Sequence, residues 1–272
     1  MSREICLNEL QKKNISGNMY NYILNFLKDR TFQVKVGQTL SETNIQELGV
    51  PQGGIISPIL FNITLDSVGS LTDTHPKVEE GKFADDNSGW VMASAAPNRR
   101  NKHRVKKLEN ILVPATEHLM GQLEEKGFKV NIEKTQVILF NTRSEAIWTI
   151  KGQTIKSQPS VKYLGVTFDR FLNFGEHINN RYEIGLRALN VLKRLGQGRF
   201  GLNPRHRKRL MISYILPKVT YGEEVYHNAA KSHLSKIDSL QNKGLRLITG
   251  APQSASVIAL SVLTKIPPTL LT

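Results

Sequence analysis

Two adjacent aspartates, Asp85 and Asp86, are the residues of this sequence best suited to chemistry. They lie between apolar residues typical of strands, with Phe83 before them and Trp90 after them. At an effective dielectric constant of about 20, two carboxylates about 4 Å apart repel each other by roughly 4 kcal/mol. Open solvent or a divalent cation offsets such a repulsion. The pair therefore indicates either a solvated turn, the common use of an Asp-Asp-Asn sequence, or a magnesium site at the tip of a hairpin.

A glycine-rich segment, Pro51-Gln52-Gly53-Gly54, precedes the aspartates. Two glycines allow the backbone to pass close to a bulky ligand such as a base or a sugar. Ser57 and Pro58 follow as the expected N-cap and first helical residue, which predicts a helix to about Val68. Taken alone, the segment is more typical of a plain loop that leads into a helix.

Lys134 is a third candidate, because it lies just before a predicted strand at residues 137–140. Its ammonium group could pair with a leaving pyrophosphate or protonate it. An isolated lysine before a strand is, however, more often simply solvated. Lys134 therefore gains weight only in combination with the aspartates and the glycine-rich segment.

Hydrophobic periodicity predicts the elements that position these residues. Helices are expected at residues 3–28, with an interruption near Gly17, at 57–68 and at 101–125. Short strands, forming a small sheet in the later part, are expected at 31–36, 137–140, 147–150, 154–155 and 161–168. Residues 82–92 are predicted to form a hairpin with Asp85-Asp86-Asn87 at its tip.

From about residue 174 the pattern changes to helices, in which apolar residues recur every three or four positions. We therefore expect an α/β (α+β) fold with a boundary near 171–175, dividing the chain into domains 1–172 and 173–272. Both chain ends look cut, since nothing caps the start and the last residues form no terminal element.

Composition narrows the class of protein. The 272 residues are 39% hydrophobic and 22% charged, which is typical of a globular protein. Lys and Arg number 37 against 23 Asp and Glu, and the net charge of +14 favours a polyanionic partner such as nucleic acid. The single cysteine, Cys6, excludes an internal disulfide and a cysteine-based zinc site. Without a signal-like N-terminus or a long apolar run, we expect a soluble intracellular protein with no membrane partner and no disulfide-linked partner.

The basic residues concentrate in the helical part. Between Arg181 and Leu210 there are nine Lys or Arg and one acid, Glu183. Helices with one apolar stripe and one basic face suit contact with a phosphate backbone, and the alternative is a solvated face. A second basic run, Arg99–Lys107, is typical of nuclear targeting, of RNA contact or of an exposed helix start. The four histidines of this half show no metal-ligand spacing and are expected at the surface or in helix packing: His177, His206, His227 and His233.

In this order, the segments resemble the polymerase domain of reverse transcriptases, with the nearest match to the jockey-like group of non-LTR retrotransposons. The resemblance spans nearly the whole chain and is carried by seven segments: 26–34, 49–62, 82–86, 131–140, 161–166, 216–222 and 241–246. It implies a right-hand polymerase with a partial palm of antiparallel sheet at 1–172 and an α-helical thumb at 173–272. It also implies an RNA template, a DNA primer, deoxynucleoside triphosphates and a nuclear location.

The resemblance implies roles for particular residues. Asp85 and Asp86 would be catalytic carboxylates of a two-magnesium site, with Mn²⁺ as an alternative ion and Asp85 as the more direct ligand. One metal would lower the pKa of the primer 3′-hydroxyl and the other would stabilise the leaving pyrophosphate. Nucleotide and template contacts are implied for Gln52, Gly53, Gly54, Phe83, Ala84 and Lys134. A primer-gripping hairpin is implied at Tyr163, Leu164 and Gly165. Contacts to the nucleic-acid backbone are expected for Arg187, Lys193, Arg194, Arg205, Arg207 and Lys208.

Two departures from the family pattern matter. Gly54 stands where the family usually has serine, a change that leaves the turn intact. The family's first metal-binding aspartate lies on an earlier strand, whereas Asp29 and Asp66 both fall in helix-like sequence here. Three hypotheses follow: an RNA-directed DNA polymerase truncated on its N-terminal side, an inactive or decayed copy that retains only nucleic-acid binding, or an unrelated basic α/β protein.

Overall fold

The computed structural model of the protein describes residues 1–46, 48–92, 102–196 and 201–268. The chain forms two compact units by packing. The first unit comprises residues 1–135 and 146–156, and the second comprises 136–145 and 157–272. The mixture of helices with small antiparallel strand pairs confirms the α/β class expected from the sequence.

Two helices open the first unit, α1 (Arg3–Lys12) and α2 (Gly17–Leu27). The break predicted near Gly17 is confirmed, because Asn14 and Gly17 both have left-handed backbone angles with φ of 62° and 63°. Helix α3 (Ser57–Asp66) packs on them. Their shared core contains Cys6, Leu10, Ile23, Leu27 and Leu60.

Between α2 and α3 the chain forms two strand pairs of two residues per strand. Strand β1 (Thr31–Phe32) pairs with β4 (Asn44–Ile45), and β2 (Lys35–Val36) pairs with β3 (Thr39–Leu40). The prediction of a single strand at 31–36 is therefore wrong at residues 33 and 34, which separate two short strands. There the Val34 N–H donates to the Ser41 hydroxyl instead of a backbone carbonyl, which interrupts the ladder.

A hairpin and a long helix complete this unit's second core. Strand β5 (Val78–Phe83) pairs with β6 (Asp86–Val91), and α4 (Lys102–Glu125) follows, as predicted over its described range. Val78 of β5 and Ala115, Leu119 and Leu123 of α4 are buried together. Strands β7 (Ile147–Ile150) and β8 (Gln153–Lys156) form a further hairpin, and β7 packs on α4.

The second unit begins with a hairpin and continues with helices. Strands β9 (Ser160–Tyr163) and β10 (Val166–Asp169) pair, followed by α5 (Gly175–Leu195) and α6 (Pro204–Leu210). A π-helical turn, Met211–Ile215, leads into α7 (Leu216–Val219) and α8 (Glu223–Tyr226). The last helices are α9 (Lys231–Thr249) and α10 (Val257–Thr264).

The core of the second unit lies mainly between α5 and α9. Ile178 and Leu189 of α5 and Leu240 and Leu245 of α9 are almost fully buried. The two helices approach closely at Gly185, where a Cβ atom would lie 2.7 Å from the Leu240 side chain. The apolar residues that recur every three or four positions in this half thus contribute to one core.

One predicted strand needs correction. The strand predicted at 137–140 is a single bridge between Ile138 and Gln158. Pro159 has no N–H to continue that ladder, and the Asn141 N–H bonds to the Arg170 carbonyl instead. By packing, β9 and β10 group with the helices, and the domain boundary near 171–175 stays a prediction. The assignment of palm and thumb to 1–172 and 173–272 stays a prediction.

Candidate active site

The β5–β6 hairpin has one face turned to the core and one exposed face. Its six residue pairs run from Val78 with Val91 to Phe83 with Asp86. Because side chains alternate along a strand, Glu80 and Lys82 lie on the same face as the buried Val78. The opposite face carries Glu79, Trp90, Phe83 and Asp86, and the Trp90 indole N–H donates to the Glu79 carboxylate at 3.0 Å.

The turn of this hairpin consists of Ala84 and Asp85. The predicted tip at residues 85–87 is therefore shifted by one residue, since Asn87 already pairs with Lys82 in the ladder. Ala84 has a φ of 51°, a left-handed conformation that costs a residue with a Cβ about 1–2 kcal/mol. Phe83 is 62% exposed, and both aspartates are exposed with it.

The core-facing side of the hairpin is fixed by polar contacts. The Glu80 carboxylate accepts hydrogen bonds from the Ser70 hydroxyl and, at 3.0 Å, from the Leu71 N–H. The Lys82 ammonium donates to the Gly69 carbonyl at 2.9 Å and lies 3.5 Å from Glu80. These contacts hold the base of the hairpin, so the two aspartates project from a supported strand pair.

The donor set of the turn fits magnesium in part. Carboxylate oxygens are preferred ligands of Mg²⁺, which proteins commonly bind through one or two carboxylates together with water and phosphate oxygens. Asp85 and Asp86 supply two such groups, and neither carboxylate has a hydrogen bond or ion pair within the described ranges. No cluster of three His, Cys, Asp or Glu side chains is found among the described residues. The two aspartates could therefore supply some, but not all, of the oxygen ligands of a magnesium ion.

The glycine-rich loop is held by Ser57. Its hydroxyl donates to the Pro51 carbonyl at 2.6 Å. Ser57 was predicted as the N-cap of α3, but it is the first helical residue, and Ile56 is the N-cap. Gly53 has a φ of 82°, which favours glycine, and is exposed together with Gln52. A Cβ at Gly54 would lie 2.6 Å from the Ser57 hydroxyl, so glycine fits this loop where the family usually has serine.

Lys134 ends a short 3₁₀ turn, Ile132–Lys134, whose N-cap Asn131 accepts the Lys134 N–H at 3.3 Å. Its side chain is exposed. The expected position of this ammonium group near a triphosphate stays a prediction.

In the second unit, the predicted primer-gripping residues form the β9–β10 turn. Leu164 and Gly165 are the two turn residues, with φ of 46° and 81°, and Tyr163 pairs with Val166 at the strand ends. Side chains from outside the hairpin contact the turn, namely Arg181 of α5 and Tyr221.

His177 was expected at the surface or in helix packing, and it is 1% exposed beside this turn. Burial lowers the pKa of its imidazole, and the nearby charges of Arg181 and Lys162 act in the same direction. Sequence reasoning missed the link among His177, Arg181 and Tyr221, whose only signal is the spacing of four residues between the first two on one helix face.

The basic residues of the second unit differ in their exposure and in their bonding partners. Arg187, Lys193, Arg194 and Arg205 are exposed, and Lys208 is half-buried. Within the described part of the chain, no acidic side chain forms an ion pair with these five basic residues. Arg199, counted in the basic run, lies outside the described residues, as do Arg99 and Arg100.

Arg207 has a different environment from its neighbours. Its guanidinium donates to the carbonyls of Leu202 at 2.7 Å, Gly196 at 2.7 Å and Leu247 at 3.0 Å. The sequence predicted a phosphate contact for Arg207, but these three bonds join α5, α6 and α9. Arg207 therefore stabilises the fold of the unit, and its predicted phosphate contact stays a prediction.

Comparison with known proteins identifies the family to which the chain belongs. Residues 4–168 match the family described as reverse transcriptase (RNA-dependent DNA polymerase), so the chain belongs to that family. The hypothesis of an unrelated α/β protein is thereby excluded. Enzymes of this family generally use divalent metals such as Mg²⁺.

Curated relatives narrow the comparison to non-LTR elements. The chain is 30% identical over 250 residues to the RNA-directed DNA polymerase from mobile element jockey of Drosophila melanogaster. It is 25% identical over 249 residues to the probable RNA-directed DNA polymerase from transposon BS of the same species. Both alignments cover 89% of this chain and 26% of the relative. A type-1 element R2 Pol polyprotein of Popillia japonica is 25% identical over 241 residues, covering 82% of this chain and 36% of the relative.

The chain thus spans about a quarter of the length of the two Drosophila relatives. Within the part that the structure describes, no helix is both long enough and apolar enough to cross a membrane.

Proposed function

We propose that this chain supplies catalytic carboxylates and nucleic-acid-binding helices to an RNA-directed DNA polymerase of a non-LTR retroelement. The proposal depends on one observation: Asp85 and Asp86 lie exposed and adjacent at the end of a supported hairpin. The family match and the names of the jockey and BS relatives support it. The proposed substrates are an RNA template, a DNA primer and deoxynucleoside triphosphates, and the proposed location is the nucleus.

The proposed reaction is attack of the primer 3′-hydroxyl on the α-phosphate of a nucleotide, with pyrophosphate leaving. Two bound magnesium ions would lower the pKa of that hydroxyl and stabilise the leaving group. Asp85 and Asp86 would hold the ions, with Asp85 as the more direct ligand. Gln52 and Gly53 lie against the template–primer and the nucleotide, with Gly54 shaping their loop. Lys134 pairs with the triphosphate.

Phe83 and Ala84 support the carboxylates in this scheme. Phe83 pairs with Asp86 across the ladder, while Ala84 places Asp85 in the turn itself. Rigid placement matters because a reacting group displaced by about 1 Å can slow a reaction about 100-fold.

The helices of the second unit serve as the proposed thumb. Exposed basic side chains without acidic partners in the described part can contact phosphates regardless of sequence. The proposed contacts come from α5 through Arg187, Lys193 and Arg194, and from α6 through Arg205 and Lys208. Tyr163, Leu164 and Gly165 are proposed to contact the primer strand.

The test is primer extension on an RNA template with Mg²⁺, run with the 272-residue chain and with the longest natural reading frame that contains it. Asp85→Asn should lower extension at least about 100-fold, because the ion loses a charged ligand. The control is Asp29→Asn, since Asp29 is an exposed aspartate at a φ of 48° that asparagine tolerates. Extension unchanged by Asp85→Asn would remove this residue from the mechanism.

A second candidate function is nucleic-acid binding without polymerisation, by an inactive copy. It is favoured by the lack of a third carboxylate beside the pair in the described residues. Primer–template binding with no extension in either protein would support this candidate. Extension that depends on Asp85 would exclude it.

A further inference from the structure

The β9–β10 turn is held by two side chains that donate to the carbonyls of its two turn residues. The Tyr221 hydroxyl donates to the Leu164 carbonyl at 2.7 Å. The Arg181 guanidinium donates to the Gly165 carbonyl at 2.6 Å. Arg181 also lies over the Tyr221 ring, 4.8 Å from its centroid, so the two donors support each other. The turn is therefore fixed by residues 16 and 57 positions away in the chain.

His177 is hydrogen-bonded on both sides, to strand β10 and to the backbone of Tyr221. The Thr167 N–H donates to its Nδ1 at 3.2 Å, so Nδ1 carries no proton. The proton then lies on Nε2, which donates to the Tyr221 carbonyl at 3.2 Å. Strand β10 and the segment before α8 are thus tied through one neutral imidazole.

Glycine at two positions allows this close approach. A Cβ at Gly165 would lie 2.9 Å from the Tyr221 ring. A Cβ at Gly222 would lie 2.7 Å from Val166 of β10. The segment Tyr221–Gly222 therefore packs directly against the hairpin end.

The β7–β8 turn has nearly the same backbone and a different side-chain contact. Lys151 and Gly152 have φ of 47° and 77°, close to those of Leu164 and Gly165. The Lys151 N–H donates to the Glu117 carboxylate of α4 at 2.8 Å, whereas among the described residues no side chain donates to the Lys151 or Gly152 carbonyl. Both turns have glycine second, as favoured two-residue hairpin turns do. Side-chain donors to both turn carbonyls therefore distinguish the β9–β10 turn.

We propose that His177, Arg181 and Tyr221 are positioning residues that hold the β9–β10 turn against the primer strand. The proposal rests on the function proposed above, in which this turn contacts the primer. Tyr221 is 48% exposed and Arg181, Leu164 and Gly165 are half-buried, so the turn and its two donors lie at the surface, while His177 is buried beneath them.

The decisive variant is Tyr221→Phe, which removes one hydroxyl and keeps the ring beside Arg181 and Gly165. The matched control is Tyr182→Phe in the same unit, where the lost hydroxyl is a partner of Lys243 and not of the turn. The probe is a primer–template with 2-aminopurine at the primer 3′ end. Total binding is measured separately by filter retention, and folding by thermal melting.

With wild-type protein, binding should change the 2-aminopurine fluorescence. Tyr221→Phe should reduce that change about twofold or more and slow extension about fivefold, the effect of one net hydrogen bond. Filter binding and the melting temperature should stay as in Tyr182→Phe, because the phosphate contacts of the helices remain.

Three results overturn the idea. An unchanged fluorescence signal in Tyr221→Phe would show that the turn does not need this hydroxyl at the primer. A lower melting temperature with an unchanged signal would show a purely structural role. Wild-type protein that fails to bind primer–template would instead overturn the proposed function, and the positioning role with it.

Discussion

The turns of the β5–β6 and β9–β10 hairpins have the same length and opposite surroundings. At Ala84 and Asp85 the turn is exposed, and its carboxylates have no protein partner in the described residues. At Leu164 and Gly165 the turn carbonyls are both hydrogen-bonded by side chains from other elements. Unpaired acidic groups remain available to bind an ion, whereas bonded carbonyls fix the position of a backbone. In the proposed function, the first turn accordingly binds a metal ion and the second turn positions the primer strand.

The largest effect on this comparison is expected from Gly165→Ala. The substitution places a Cβ at a φ of 81° and 2.9 Å from the Tyr221 ring, so it should destabilise the second unit by about 2–4 kcal/mol. Gly152→Ala is the matched control, because its φ is 77° and its Cβ would meet nothing within 4 Å. It should cost only about 1 kcal/mol.

Urea unfolding measures both variants. Trp90 and Trp148 lie in the first unit, so tryptophan fluorescence follows that unit. Far-UV circular dichroism follows the helices of both units, and a change seen by circular dichroism but not by fluorescence reports on the second unit. Equal costs for the two substitutions would show that the Tyr221 ring does not confine Gly165.

A smaller effect on stability is expected to distinguish Arg207, which bonds to backbone carbonyls, from the exposed Arg194. Arg207→Gln should lower the free energy of unfolding by about 2–3 kcal/mol, because carbonyls of three segments lose a charged donor. Arg194→Gln should leave stability within about 0.5 kcal/mol. It should instead reduce the slope of log affinity against log salt by about 1, as for one lost phosphate contact.

Filter binding of primer–template at several salt concentrations measures the slopes, and urea unfolding measures stability. If Arg207→Gln changed the salt slope while Arg194→Gln changed stability, the assignments of the two arginines would be reversed.

The smallest effect concerns pH. Burial lowers the pKa of His177 in the folded protein below its ordinary value of 6.5. As pH falls through 6.5, the unfolded chain takes up a proton before the folded chain does, so stability should fall until the folded imidazole also titrates. His177→Gln should flatten this dependence below pH 6.5.

His206→Gln is the control, since His206 is exposed. The measurement is the urea midpoint of the second unit across pH. The same pH dependence in His177→Gln and wild type would exclude a neutral His177 at this position.

Local periodicity and turn residues predicted the β5–β6 hairpin and the long helix. The β9–β10 hairpin was expected only from the family resemblance, because periodicity indicated one strand at 161–168, where the structure has a turn at Leu164 and Gly165. The sequence placed the first tip one residue too late, at Asp85–Asn87, because Asp and Asn both suit turns, whereas the register is set by pairing of Phe83 with Asp86. It also predicted a strand at 137–140 from apolar content alone. That segment finds different partners at its two ends, which no local pattern reports.

The sequence by itself determined the family, the acidic pair and the basic helical half, since ordered motifs and charge are properties of composition and spacing. Only the tertiary structure decided which basic side chains bond within the protein and which are exposed. Arg207 bonds to a carbonyl 40 residues away and Tyr221 to one 57 residues away, so their roles depend on folding. A hydrogen bond needs its donor and acceptor within about 3 Å, and distant segments meet at that range only when helices pack.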